Sequence, residues 1–239
     1  MKKRIPLGKL LPVYVAVLIG MICIAHFGSQ VVTTMVELSP VSGHRCYVID
    51  AGHGGIDSGA SSCTGVPESQ LNLEIAVRLN DLMRLLGYST KLIRTTDTSI
   101  YTEGKTIAAQ KVSDLKERVR IVNETENAIL ISIHQNTFPD GRYSGAQVFY
   151  ANDASSKEIA NRVQNALITH LNPGSNRKCK SSDGIYLMQS IQKPGVLIEC
   201  GFLTNPEEEA LLRTVEYQKK LTCVIASAVS LNCATPLCV

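Results

Sequence analysis

No C-x-x-C pair occurs in the chain, although it holds eight cysteines, and that absence argues against a zinc ribbon or a thioredoxin-like motif. No stripe of Lys and Arg exists beyond the first nine residues. Setting aside Lys2, Lys3, Arg4 and Lys9, the remaining basic residues fall one short of the 21 acidic ones, so nucleic acid is not an expected partner. The net charge of +3 therefore resides in the amino end. Internal repeats and low-complexity tracts are also missing. Finally, no formally charged residue stands between Leu10 and Phe27, a run long enough to span a bilayer.

What is present fits an ordinary globular domain behind an anchor. At 239 residues, 44% hydrophobic and 19% charged, the chain is long enough for one domain with a proper core. Four cations precede the apolar run and no charge follows it until Glu37, which places the start of the chain in the cytoplasm and the rest outside. The expected division is a basic segment over residues 1–9, a signal anchor over 10–27, a stalk over 28–45, a globular domain over 46–232 and a tail over 233–239. An uncleaved anchor is preferred to a cleaved signal peptide, because Ala25-His-Phe27 makes a poor small-x-small cleavage site. Cys23 lies in the apolar run, so an odd number of cysteines remains outside it and they cannot all pair. Cys46 and Cys200 read as small buried strand residues. Cys233 and Cys238 are a candidate disulfide in an oxidising compartment.

From Cys46 onward strand and helix patterns alternate. Strands are expected at Cys46 to Asp50, Lys91 to Arg94, Ile129 to Ile133, Ala146 to Tyr150, Ile185 to Met188 and Val196 to Ile198. Helices are expected at Gln70 to Leu86, from a cap at Ser113 or Asp114 to Glu126, at Ser155 to Leu171 and at Thr214 to Leu231. Such alternation predicts one α/β domain with a largely parallel sheet.

The chemistry is expected at the carboxyl edge of that sheet, where open α/β folds bind ligands. His53 follows the first strand in Val48-Ile-Asp-Ala-Gly-His-Gly-Gly, and His134 follows the strand Ile129 to Ile133. Gly52, Gly54 and Gly55 give the first loop the freedom to fold tightly and aim a ring. For one loop alone, a simple turn capped by His53 is the preferred reading; the pair of histidines is more informative than either. Two histidines with a carboxylate and an open position make a catalytic zinc site. Glu68 stands just before a helix, where it either ligates or merely meets the helix amino end. Glu199, inside the apolar strand Val196 to Phe202, has company that carboxylates seldom keep unless paired, metal-bound or catalytic. The residues alone leave open which glutamate ligates and which acts as base.

The order His53-Gly-Gly-x-Asp-x-Gly-Ala, then Glu68 opening a helix, then Ser132-Ile-His-x-Asn, then Val196-Leu-Ile-Glu-x-Gly-Phe-Leu-Thr-Asn resembles the zinc-dependent N-acetylmuramoyl-L-alanine amidases. The resemblance covers about Cys46 to Leu231, with Arg94-Thr-Thr-Asp97 also matching. It implies a twisted six-stranded mixed, largely parallel sheet with helices on both faces. It implies one Zn2+ ion held by His53, Glu68 and His134, with Glu199 as the catalytic carboxylate and peptidoglycan as substrate. An amino-terminal anchor and a single small domain look most like the spore-cortex type of that family, an extracytoplasmic enzyme on a single-pass anchor, in the intermembrane space of the forespore. Asn136 is a candidate substrate contact, and Asp57 a candidate brace for His53. Arg94 and Asp97 read as a structural pair. No inserted helix follows Tyr150, so control falls to timing, metal supply or a partner protein. Two rival readings remain: a Cys-His hydrolase using Cys200 and His134, and a catalytically silent wall-binding module. Cys63 is a softer alternative to Glu68 as ligand.

Overall fold

The structure is a computed structural model that describes residues 45–230. The expected basic segment, the anchor, the tail and all of the stalk but Arg45 lie outside the described residues, as do Cys23, His26, His44, Cys233 and Cys238. Among the described residues, no helix is long and apolar enough to cross a membrane.

Six strands form one sheet: β1 (Cys46–Ala51), β2 (Ser89–Leu92), β3 (Ala128–Asn136), β4 (Gln147–Tyr150), β5 (Lys180–Ser181) and β6 (Gly195–Phe202). Their spatial order is β2-β1-β3-β6-β4-β5. All neighbours run parallel except β4 against β6, which is antiparallel. Parallel neighbours require crossovers, and these are largely helical: α1 (Glu68–Leu85), α2 (Ile107–Glu124), α3 (Ala154–His170) and α4 (Tyr186–Ser190). Two more helices, α5 (Pro206–Leu212) and α6 (Val215–Ser230), follow the last strand.

The central strands are apolar on both faces, and their period of two divides the core. Tyr47, Ile49, Ile131, Ile133 and Ile198 point to one side and pack with Ile75 and Leu79 of α1, Val163 and Leu167 of α3, and Leu221 and Ile225 of α6. Val48, Leu130 and Leu197 point to the other side and pack with Val122 of α2 and with Leu187 and Met188 of α4. Helices thus cover both faces, as expected.

Several expected elements shift or change type. Of Ile185 to Met188, expected as a strand, Tyr186 to Met188 belong to α4 and Ile185 is its extended cap residue, preceded by Gly184 at a positive φ of 87°. A four-residue apolar run cannot be assigned by periodicity, and here Leu187 and Met188 share one buried helical turn. The strand expected at Lys91 to Arg94 ends at Leu92, because the Arg94 guanidinium turns inward to the carbonyls of Ala51, Gly52 and Ser69. Helix α2 starts seven residues before the expected cap, at Thr106, whose side chain accepts from Ala109 N at 3.2 Å. Ser113 and Asp114 do serve backbone N–H groups, but those of the preceding loop: Asp114 accepts from Ile100 N, and Ser113 Oγ from Thr102 N and Glu103 N. Neither β5 nor α5 was expected; α5 nonetheless opens with Asn205 as cap and Pro206 in its first turn, a recognisable helix start.

Candidate metal and catalytic centre

His53 sits one residue beyond Gly52, which follows the end of β1, and its backbone is held at φ 61°, a region that non-glycine residues enter only under constraint. The constraint is visible. Arg118 Nη2 of α2 donates to His53 O at 2.7 Å, and the loop closes on itself through Gly54 N to Asp57 O at 2.7 Å. Closure brings Asp57 Oδ2 to 2.9 Å from His53 Nδ1, so the expected brace is in place.

Two glycines serve the site by what they omit. A Cβ on Gly52 would stand 2.2 Å from the His134 ring, which lies across the bare backbone. A Cβ on Gly59 would stand 2.6 Å from Glu68 Oε2 and 2.7 Å from His53 Cδ2. The glycine-rich loop is therefore a floor for two imidazoles and a carboxylate as well as a turn.

Glu68 opens α1, behind Pro67, which supplies no side-chain cap. Its carboxylate is buried and turned into the site. Oε1 accepts from Gln135 N at 3.1 Å and from Asn72 Nδ2 at 3.2 Å, and lies 3.0 Å from His134 Nδ1. Oε2 accepts from Ala60 N at 3.0 Å and lies 3.3 Å from His53 Nε2. A carboxylate that merely complemented a helix dipole would face solvent at the helix end. His134 arrives on β3, its ring centroid 5.0 Å from that of His53. One ligand-type atom from each of His53, Glu68 and His134 lies within 4.8 Å of the other two.

The fourth residue comes from the next strand. Glu199 on β6 is the register partner of His134 on β3, immediately before that pairing slips by a bulge. Bulges of this kind re-aim side chains beside active sites. Glu199 Oε2 is sealed from solvent and has no hydrogen-bond partner. Burial pushes its pKa up to about 7, with Glu68 adding to the rise and His134 and His53 opposing it.

The electrostatics favour positive charge at the centre. Burial opposes protonation of His53, yet its contacts with Glu68 and Asp57 outweigh burial and raise its pKa to about 9. Burial likewise opposes ionisation of Glu68, but the two imidazoles hold it far below the ordinary carboxylate range. The residues present fit a bound divalent cation on three counts. The donors are two nitrogens and one carboxylate, the set a catalytic zinc takes. His53 Nδ1 is already occupied by Asp57, which leaves Nε2 for a ligand. Beside them stands a buried carboxylate oxygen that no protein group satisfies.

The remaining candidates fall elsewhere. Cys200 is buried in the apolar core on the side opposite Val48, and burial pushes its thiol pKa up, the reverse of what a nucleophile needs. Cys63 is exposed and stands outside the three-residue cluster. Asn136 lies at the end of β3, partly buried, with its carbonyl accepting from Leu203 N. Arg94 pairs only loosely with Asp97, at 3.8 Å, and spends its guanidinium on backbone carbonyls. Sequence reasoning missed Arg118 and Asp50, a buried ion pair beneath the His53 loop, and also Asn72, and it assigned no role to Gln135 or Gly59. Asp50 inside the apolar run Val48-Ile-Asp-Ala51 was as anomalous as Glu199, and carried the same signal.

The sequence pattern that defines N-acetylmuramoyl-L-alanine amidases matches residues 48–230, and the chain belongs to that family of enzymes. It is 41% identical, over 184 residues and 76% of each chain, to the germination-specific N-acetylmuramoyl-L-alanine amidase of Bacillus subtilis. It is 28% identical to the amidase AmiA of Escherichia coli, over 78% of this chain and 75% of that one. Among solved structures it is similar to the CwlD amidase of Clostridioides difficile, determined in complex with the GerS lipoprotein. The TM-score there is 0.74 at 37% identity, covering 77% of this chain and 96% of that chain.

Proposed function

We propose that the chain cleaves the amide between the lactyl group of N-acetylmuramic acid and L-alanine of peptidoglycan with a zinc ion held by His53, Glu68 and His134. Glu199 is the general base. The observation that carries this reading is the unpartnered Glu199 Oε2, buried on the strand position that faces His134.

When bound, zinc lowers the pKa of a water to about 7 and polarises a carbonyl oxygen. His53 Nε2, Glu68 and His134 Nδ1 present the ligand atoms, each backed by a second contact: Asp57 on His53, Ala60 N, Gln135 N and Asn72 on Glu68, and Gly52 beneath the His134 ring. Glu199 takes the proton of the attacking water and delivers it to the departing alanine nitrogen. Its raised pKa, near neutral, suits both halves of that exchange. The products are a lactyl carboxylate left on the glycan and a stem peptide with a free amine.

Release of stem peptide from purified peptidoglycan tests the assignment. Glu199→Ala is expected to lower turnover by about 10²- to 10⁴-fold with zinc content unchanged, while Cys200→Ala keeps near-native turnover. Loss with Cys200→Ala would favour the thiol mechanism, and no release by the native chain would favour a silent binding module.

The likeness to a germination-specific amidase supports a role in spore-cortex peptidoglycan, to be checked by cortex muropeptide analysis of a deletion strain. Cortex unchanged by the deletion would remove that role. The likeness to an amidase solved with a lipoprotein supports a partner protein as regulator, a reading that steady activity of the purified zinc-loaded chain alone would count against. The charge-free run 10–27 behind four cations supports a membrane anchor with the catalytic domain outside the cytoplasm. Recovery of the chain in the soluble fraction of carbonate-washed membranes would refute the anchor.

A further inference from the structure

We infer that Lys111 is a positioning residue for the metal centre: its ammonium, carried on α2, fixes the Asp57 carboxylate that in turn orients the His53 ring. The inference rests on the reading of His53 as a zinc ligand. Lys111 Nζ lies 2.7 Å from Asp57 Oδ1, and the other oxygen of the same carboxylate, Oδ2, lies 2.9 Å from His53 Nδ1. One carboxylate is thus divided between a cation outside and an imidazole inside.

A ligating imidazole needs its other nitrogen held, so that tautomer and ring angle are set before the metal arrives. Asp57 does this only while it is itself held. Its backbone is paired with Gly54, but the loop gives the carboxylate itself one long contact, Gly59 N to Oδ1 at 3.4 Å, and the flanking Gly54, Gly55 and Gly59 all sit at positive φ. The firmer hold comes from across the site, on the same helix that supplies Arg118. Lys111 and Arg118 are seven residues apart, two helical turns, and share a face. Arg118 fixes the His53 carbonyl, while Lys111, through Asp57, fixes the His53 ring. Helix α2 therefore holds the ligand at both its backbone and its side chain.

The Lys111 and Asp57 side chains are 46% and 27% exposed, so a pair of this kind adds little to folding stability. Its consequence is orientation, and that separates the inference from a bland surface ion pair. Zinc affinity of the full-length chain in detergent, measured by competition with a chelating dye, provides the test. Lys111→Ala is expected to weaken zinc binding by about three- to tenfold, less than the roughly 10- to 100-fold expected for Asp57→Ala, which removes the direct partner. Lys111→Arg keeps the charge and restores most of the affinity. Adding Lys111→Ala to Asp57→Ala has no further effect, because nothing is left to position. The unfolding midpoint of the metal-free Lys111→Ala chain matches the native one. Equal zinc affinity in native chain and Lys111→Ala, or additive losses in the double variant, would overturn the inference. A native chain that takes up no zinc would sink the metal reading itself, a result distinct from both.

Discussion

Three side chains at the centre of the site, His53, Glu68 and His134, lie where a single added carbon would collide with them. The His134 ring occupies the space of a Gly52 Cβ, at 2.2 Å. Gly52→Ala is therefore expected to displace the ring. Overpacking of this kind costs about 1–3 kcal/mol; where the ring must bear that cost to regain its ligating position, zinc affinity falls by roughly five- to 150-fold. Dye competition on Gly52→Ala reads this directly; native affinity would show that the ring does not need that floor. Of these constraints, the sequence makes plain the residue types: histidines after two strand ends and a glutamate stranded among Val, Leu and Ile. Hidden from it is the reason for each glycine. Gly54 and Gly55 supply backbone freedom, as a turn does, whereas Gly52 has no positive φ and is required for its missing Cβ. That distinction depends on what crosses over the residue in space.

At the scale of elements, α2 is the part of the fold whose role was least legible. Its Arg118 lies fully inside, donating to Asp50, to Asp114, to Ala51 O and to His53 O. Burial opposes ionisation of Asp50, but Arg118, then His134 and Ser132, outweigh it and leave its pKa lowered. Replacing Arg118 by Met strands a buried carboxylate, at an expected cost of about 3–5 kcal/mol. The pH dependence follows from the sign of the shift. A carboxylate with a lowered pKa in the folded state adds stability that is fully present above its unfolded value of about 3.9 and disappears as pH falls through the folded one. Denaturant midpoints should therefore differ widely between native chain and Arg118→Met at pH 7 and converge below about pH 4. A gap that stayed constant with pH would contradict the pairing. Helix α2 hides from sequence because its first two turns carry exposed Ile107 and Val112, which blur the amphipathic period. Its Ser113 and Asp114, good cap residues by type, are engaged by the preceding loop. The long helices α1, α3 and α6, with apolar residues at three- and four-residue spacing, were legible to within two residues of their ends.

Across the whole molecule, sheet order does the assembling. Placing β3 between β1 and β6 brings the two histidines and Glu199 to one edge, although His53 and His134 are far apart in the chain and Glu199 is farther still. Helix α1 then returns Glu68 to the same edge as its first residue. The alternation of strands and helices made this edge predictable, since parallel strands joined by crossover helices present their carboxyl ends together. Neither β5, at two residues, nor the antiparallel β4 is needed for that convergence; β4 was expected to within one residue of its observed span, whereas β5 and the helical turn α4 after it were not expected. The most direct measurement is X-ray absorption at the zinc edge on the zinc-loaded chain. With elemental analysis giving one zinc per chain, it should show two imidazole nitrogens at about 2.0–2.1 Å, light oxygen ligands at about 2.0–2.2 Å and no sulfur. An absence of zinc, or a sulfur at about 2.3 Å, would contradict a centre built from His53, Glu68 and His134.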